Sequence, residues 1–170
     1  MKKRGLIVTI IVNSIVVLAV LLCILFPITL YSAITITNNQ IAIEIEDKLK
    51  SVELPEGTEL VDSMWLAGKY FGNGHGMQYF GAILVSSELE ADELQAYYRN
   101  YIQSDDIVDV VKQQTAAIFD DPYYGEWGLA FENFNSDNNN YMIYCLEANT
   151  SGWDDNSFII ELLDRDFRRY

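Results

Sequence analysis

The sequence predicts an α+β domain held behind a transmembrane helix. Three observations carry that prediction. Residues 6–26 contain no charged side chain and follow directly on Lys2-Lys3-Arg4. Most of the chain beyond residue 53 alternates short apolar runs with turns rich in Gly, Pro, Asn and Asp, the pattern of strands. Within it, residues 89–103 stand out by placing apolar side chains at helical spacing. The expected architecture is an N-terminal transmembrane helix, a juxtamembrane helix, and an antiparallel sheet of about six strands with one main helix packed on one face.

Residues 1–5 form the predicted cytoplasmic tip and residues 6–30 the signal anchor, the part expected to lie in the lipid bilayer. The uncharged run 6–26 makes about 31 Å of helix at about 1.5 Å per residue, enough for a hydrocarbon core of about 30 Å. The basic triplet is expected to stay cytoplasmic, which sends the rest of the chain outside. Cleavage is not expected. The apolar core of a signal peptide spans about 7–15 residues and ends at small residues, whereas Tyr31-Ser32-Ala33 puts a bulky ring where a small one is needed. Leu22 stands before Cys23, where a lipid-modified cysteine wants a small neighbour. Pro27 is expected to end or kink the helix.

Residues 31–53 read as a stalk. Tyr31 to Gln40 is β-branched and Asn-rich, a tether. From Ile41 two readings compete. Ile41, Ile43 and Ile45 alternate as in a strand, while Ile41, Ile45 and Leu49 share a helical face. Glu44 before Lys48 and Glu46 before Lys50 favour the helix.

The exported domain spans 54–170. Leu54-Pro55-Glu56-Gly57-Thr58-Glu59 is a turn that opens it. Leu60 to Phe71 and Met77 to Ser86 pair as a hairpin across Gly72-Asn73-Gly74-His75-Gly76, with Tyr79, Gly81, Ile83 and Val85 on one face. Ser87 and Glu90 fit a capping box. Behind them Leu94, Tyr97, Tyr98, Tyr101 and Ile102 form the helix face. Strands follow at 107–114, 127–134, 141–148 and 157–163, separated by polar turns.

Composition limits the function. All 25 Asp and Glu lie from Glu44 onward, against 8 Lys and Arg beyond the anchor, so the exported part carries −17. So acidic a domain does not bind nucleic acid or an anionic surface through general electrostatics; it attracts cations or a basic partner. Cys23 and Cys145 fall in different compartments, so no intramolecular disulfide is expected and the domain must be held by its own core.

The run Leu54 to Glu59, the hairpin after it, and Glu93-Leu94-Gln95-Ala96-Tyr97-Tyr98 together resemble a module common in uncharacterised bacterial membrane-anchored proteins. There a Pro-x-Gly turn leads a strand pair into a helix carrying Phe-Tyr or Tyr-Tyr. The resemblance covers residues 53–112. It implies a bacterial cell-surface setting and carries no activity to any residue.

Candidate chemistry is sparse. The glycine-rich loop leads into a strand, not the helix N-terminus that phosphate loops use. His75 is the one histidine, and it has neither the zinc partners nor a nearby nucleophile that would give it a role. The doublets Asp105-Asp106, Asp120-Asp121 and Asp154-Asp155 sit in turns, where Asp bonds locally. No metal or cofactor is expected. The best candidates for ligand contact are Tyr123, Tyr124, Trp127 and Trp153 with Asp154 and Asp155, since rings beside acids make a sugar- or peptide-binding face. The sequence therefore points to a non-enzymatic, single-pass membrane protein whose acidic outer domain binds or senses a protein or glycan partner. The alternatives are a structural subunit of a membrane complex and a carboxylate-dependent cell-wall hydrolase.

Overall fold

A computed structural model describes residues 2–69, 76–102, 108–118 and 130–148. Six elements follow in order: α1 (Lys2–Ser51), β1 (Thr58–Gly68), β2 (Gln78–Ser87), α2 (Ala91–Tyr101), β3 (Val108–Lys112) and β4 (Asn140–Ala148).

The first correction concerns the stalk. There is no tether over 31–40 and no separate helix from 41; α1 is one continuous helix that passes through Pro27 to Ser51. Its two halves live differently. From Ile11 to Ile28 the large apolar side chains are all exposed, while Ile34, Asn38, Ala42, Ile45 and Leu49 are buried. Those five recur every three or four residues, so they form one stripe, and the sheet covers it. Helix propensity is poor along 31–40, but packing of an apolar stripe outweighs propensity. Lys48 and Lys50 in the last turn suit the negative end of the helix dipole. Lys50 Nζ reaches Glu46 Oε1 at 3.2 Å and Asp47 Oδ1 at 3.0 Å, contacts that raise its pKa.

Among the described residues the sheet has four strands, not about six, in the order β1-β2-β4-β3 with every neighbouring pair antiparallel. The strand expected over 127–134 is absent from its described part. Ala130 makes one isolated bridge to Ala117, and Glu132-Asn133 lies in a turn. The Asn133 amide is taken by the Asp62 carboxylate at 3.0 Å and the Phe131 amide by the Ala116 carbonyl at 3.0 Å, so these groups are satisfied outside any ladder. The strand expected over 157–163 lies outside the described residues.

Side chains alternate across β2 as expected. Ile83, Val85 and Tyr79 join Leu49, Ile45, Leu94, Tyr98, Val108 and Ile143 in the larger core. Phe80, Ala82 and Leu84 join Ile118, Phe131 and Met142 in a second core on the opposite face. The helix side therefore carries two helices rather than one, α1 and α2, and the other face is covered by irregular chain around 118 and 131. Contacts run from Asn38 at Tyr79 to Ile45 and Glu46 at Gly81, so β2 runs with α1, away from the exposed apolar half.

The cap of α2 also differs from expectation. Glu90 is the N-cap, and Glu93 Oε2 accepts its N–H at 3.0 Å. Ser87 instead accepts the Leu89 amide at 3.1 Å and shares a 2.6 Å hydrogen bond with Thr58. The acceptor chemistry expected of Ser87 is present, but it closes the β1–β2 end, and the N-cap falls three residues later, at Glu90.

Candidate functional site

Three places on the described structure combine chemistry with position. The first is the seat of α1 on β2. A β carbon at Gly81 would lie 2.5 Å from the Glu46 amide nitrogen and 2.7 Å from Ile45 Cγ2. Glycine is what lets the helix backbone come this close. Beside it the Tyr79 hydroxyl donates to Asn38 Oδ1 at 2.9 Å, with both residues buried. A buried amide and phenol that satisfy each other fix the rotation of the helix on the sheet.

The second is the β3 edge. Val110 N–H donates to Gln95 Oε1 at 2.8 Å, and Gln95 Nε2 donates to the Val108 carbonyl. The Gln95 amide thus copies the backbone of a neighbouring strand and closes this stretch of edge against another chain. At the other edge of the sheet the register shifts between Leu60 and Asp62, and Asp62 Oδ1 accepts the Ser63 amide at 2.8 Å.

The third is the end of the domain far from the apolar half of α1. Asn139 Nδ2 donates to the Ser87 carbonyl at 2.9 Å and to the Tyr141 hydroxyl at 3.1 Å, and that hydroxyl donates to Glu90 Oε2 at 3.3 Å. Lys112 Nζ stands 5.6 Å from the Tyr141 ring centre. Around this network Glu53, Glu56, Glu59, Glu88, Glu90 and Asp137 are exposed. The result is an acidic rim on a hydrogen-bonded frame, able to attract cationic groups. On α2 the Tyr97 and Tyr101 rings lie 4.8 Å apart, and the Tyr97 hydroxyl donates to the Glu53 carbonyl at 2.9 Å. The Tyr101 hydroxyl beside it raises the Tyr97 pKa, with a smaller contribution from burial.

Tyr123, Tyr124, Trp127, Trp153, Asp154 and Asp155 all lie outside the described residues, as do His75 and the three Asp doublets. Among the described residues no group of three His, Cys, Asp or Glu is placed to hold a metal. Cys145 is buried in the helix-side core, while Cys23 is exposed on the apolar half of α1; neither is in a disulfide. The sequence reading missed Asn38, Gly81 and Gln95. A glycine among β-branched and aromatic strand residues was the signal available for Gly81. For Asn38 and Gln95 nothing local separates a buried amide from a solvated one.

No protein-family model, curated protein or solved structure matches the sequence.

Proposed function

We propose that the chain is a single-pass membrane protein. Its acidic outer domain binds or senses a cationic protein or glycan partner at the cell surface. The observation that carries this reading is the division of α1. Residues Ile11 to Ile28 present every large apolar side chain to the surroundings, along a helix long and apolar enough to cross a membrane. So large an apolar surface is untenable in water, and a bilayer is the environment that matches its length. Lys2-Lys3-Arg4 orients the N-terminus to the cytoplasm. The bacterial cell-surface setting implied by the 53–112 resemblance fits this arrangement. The binding assignment rests on the acidic rim and on the lack, in sequence, of a paired nucleophile and base.

Recovery of the intact protein from its own membrane with a stoichiometric soluble ligand or basic protein supports the reading. Turnover of cell-wall glycans or peptides by the purified protein would end it in favour of the hydrolase. In that case Asn replacement at 105–106, 120–121 or 154–155 abolishes turnover without unfolding the domain.

A second reading, a structural subunit of a membrane complex, is favoured by Asn13 and Ser14, exposed on the apolar half of α1. An amide has two N–H donors and a carbonyl, more than its own helix can satisfy. In hydrocarbon such groups find partners on a neighbouring helix. Asn13→Leu releasing a co-purifying membrane protein would select this reading; unchanged recovery would reject it.

A further inference from the structure

We infer that the folded domain rests directly on the outer headgroup layer, with no stalk between, and that the membrane-facing surface is the sheet end where Gly68, Gln78 and Ala148 pair side by side. This builds on the membrane-anchored reading above and adds to it a height and a face.

The length of α1 carries the argument. Residues 6–33 make about 42 Å of helix at about 1.5 Å per residue. A bilayer with its headgroup regions is about 40–45 Å thick. Ile34, only 6% exposed, already belongs to the domain core. No helix is left over to lift the domain into solution.

The chemistry of this turn agrees with a headgroup position. Thr29 Oγ1 donates to the Phe26 carbonyl at 2.9 Å and Ser32 Oγ to the Ile28 carbonyl at 2.9 Å. Both hydroxyls are satisfied by their own helix, so leaving bulk water costs them little. Tyr31 is 42% exposed between them, at the level where aromatic rings favour the interface. Ile36, one turn further out, is 66% exposed on a flank the sheet does not cover; contact with the interface removes that apolar surface from water. The first charge of α1 beyond Arg4 is Glu44, so α1 itself carries no ionised side chain into the headgroup layer.

The face follows from the direction of β2. Asn38, which holds Tyr79, lies four residues beyond Ile34, about 6 Å up the helix. Gln78 and its neighbours Gly68 and Ala148 precede Tyr79 on the side of the apolar half, so they come down about 3 Å further, to the level of Ile36, within one turn of Ile34. The acidic rim lies at the opposite end of β2, about 30 Å further out at about 3.3 Å per residue. The rim points away from the membrane, where a partner can reach it.

The test uses the full chain with Cys23→Ser, carrying Lys69→Cys or Asp137→Cys. It is reconstituted in phosphatidylcholine vesicles and labelled from outside with an impermeant donor dye, with acceptor dyes on outer-leaflet headgroups. The expected result is strong energy transfer from position 69 and weak transfer from 137, the two heights differing by about 30 Å. A seven-residue helical insertion between Ala33 and Ile34 should raise both positions by about 10 Å and cut the transfer from 69. Ile36→Cys gives a second low position should the change at 69 disturb the fold. Weak transfer from all positions, equal transfer from 69 and 137, or no response to the insertion overturns the inference. Loss of the protein from the vesicles in an alkaline wash overturns the anchored reading beneath it instead.

Discussion

Gly81 of β2 and Glu46 of α1 meet backbone to backbone: a side chain at Gly81 would begin 2.5 Å from the Glu46 amide nitrogen. One consequence is that the exposed apolar segment and the domain core share a single helix whose position on the sheet is set by the absence of one methyl group. Gly81→Ala is expected to push α1 off β2 and to cost the upper part of the range of about 1–3 kcal/mol typical of overpacking, because a helix backbone cannot step aside as a flexible side chain can. Thermal unfolding of the full chain in detergent measures it. An unchanged midpoint would mean that the helix is not seated there.

The Asn38–Tyr79 pair is expected to set the rotation of α1. Tyr79→Phe removes the donor that Asn38 Oδ1 accepts at 2.9 Å and should cost about 1–2 kcal/mol. A double-mutant cycle with Asn38→Leu is expected to show clear coupling, since the two residues are in contact. Additive losses would count against the pair.

Gln95 guards the β3 edge through Val108 and Val110. Gln95→Leu keeps the bulk but strips both backbone groups of their partner. A loss of about 1–3 kcal/mol is expected, together with concentration-dependent self-association through the freed edge. Light scattering across a dilution series reads the second effect. A variant that stays monodisperse would show that the edge is closed by other means.

Tyr98 predicts an alkaline limit. Burial raises its pKa to about 12, and burial also raises that of Tyr144. In the unfolded chain a tyrosine ionises near about 10. Between these values the unfolded state has lost the proton that the folded state keeps, so stability is full below about pH 10 and falls as pH rises towards about 12. The Tyr98 hydroxyl is buried and, among the described residues, has no hydrogen-bond partner. Tyr98→Phe should therefore unfold no more easily at neutral pH and should lose less stability between about pH 10 and 12. Unfolding midpoints at pH 7 and pH 11 decide it. A large loss at pH 7 would mean that the hydroxyl is satisfied after all.

Much of this fold is written in periodicity. The face of Tyr79, Ile83 and Val85, the helix through Leu94 and Tyr98, and the strand from Tyr141 all follow from which residues are apolar and how they are spaced. What sequence could not show depends on neighbours far along the chain. Residues 31–40 have the composition of a tether and become helix because the fold buries Ile34 and Asn38, the latter against Tyr79 of β2. Phe131 and Phe134 look like strand residues, yet they pack beneath the sheet, and the Phe131 amide bonds the Ala116 carbonyl. Ser87 has the chemistry of a cap and uses it on Thr58 and Leu89. The acidic rim was legible only as net charge, because gathering Glu53, Glu56, Glu88 and Asp137 at one end needs the sheet's topology.

The most direct test of the account is the side of the membrane on which the acidic rim lies. Asp137→Cys in the full chain offers an exposed thiol, while Cys145 is buried and Cys23 lies in the apolar half of α1. A membrane-impermeant maleimide applied to intact cells is predicted to label position 137, and the labelled protein to stay in the membrane through an alkaline carbonate wash. Labelling only after permeabilisation, or release of the protein by the wash, would contradict it.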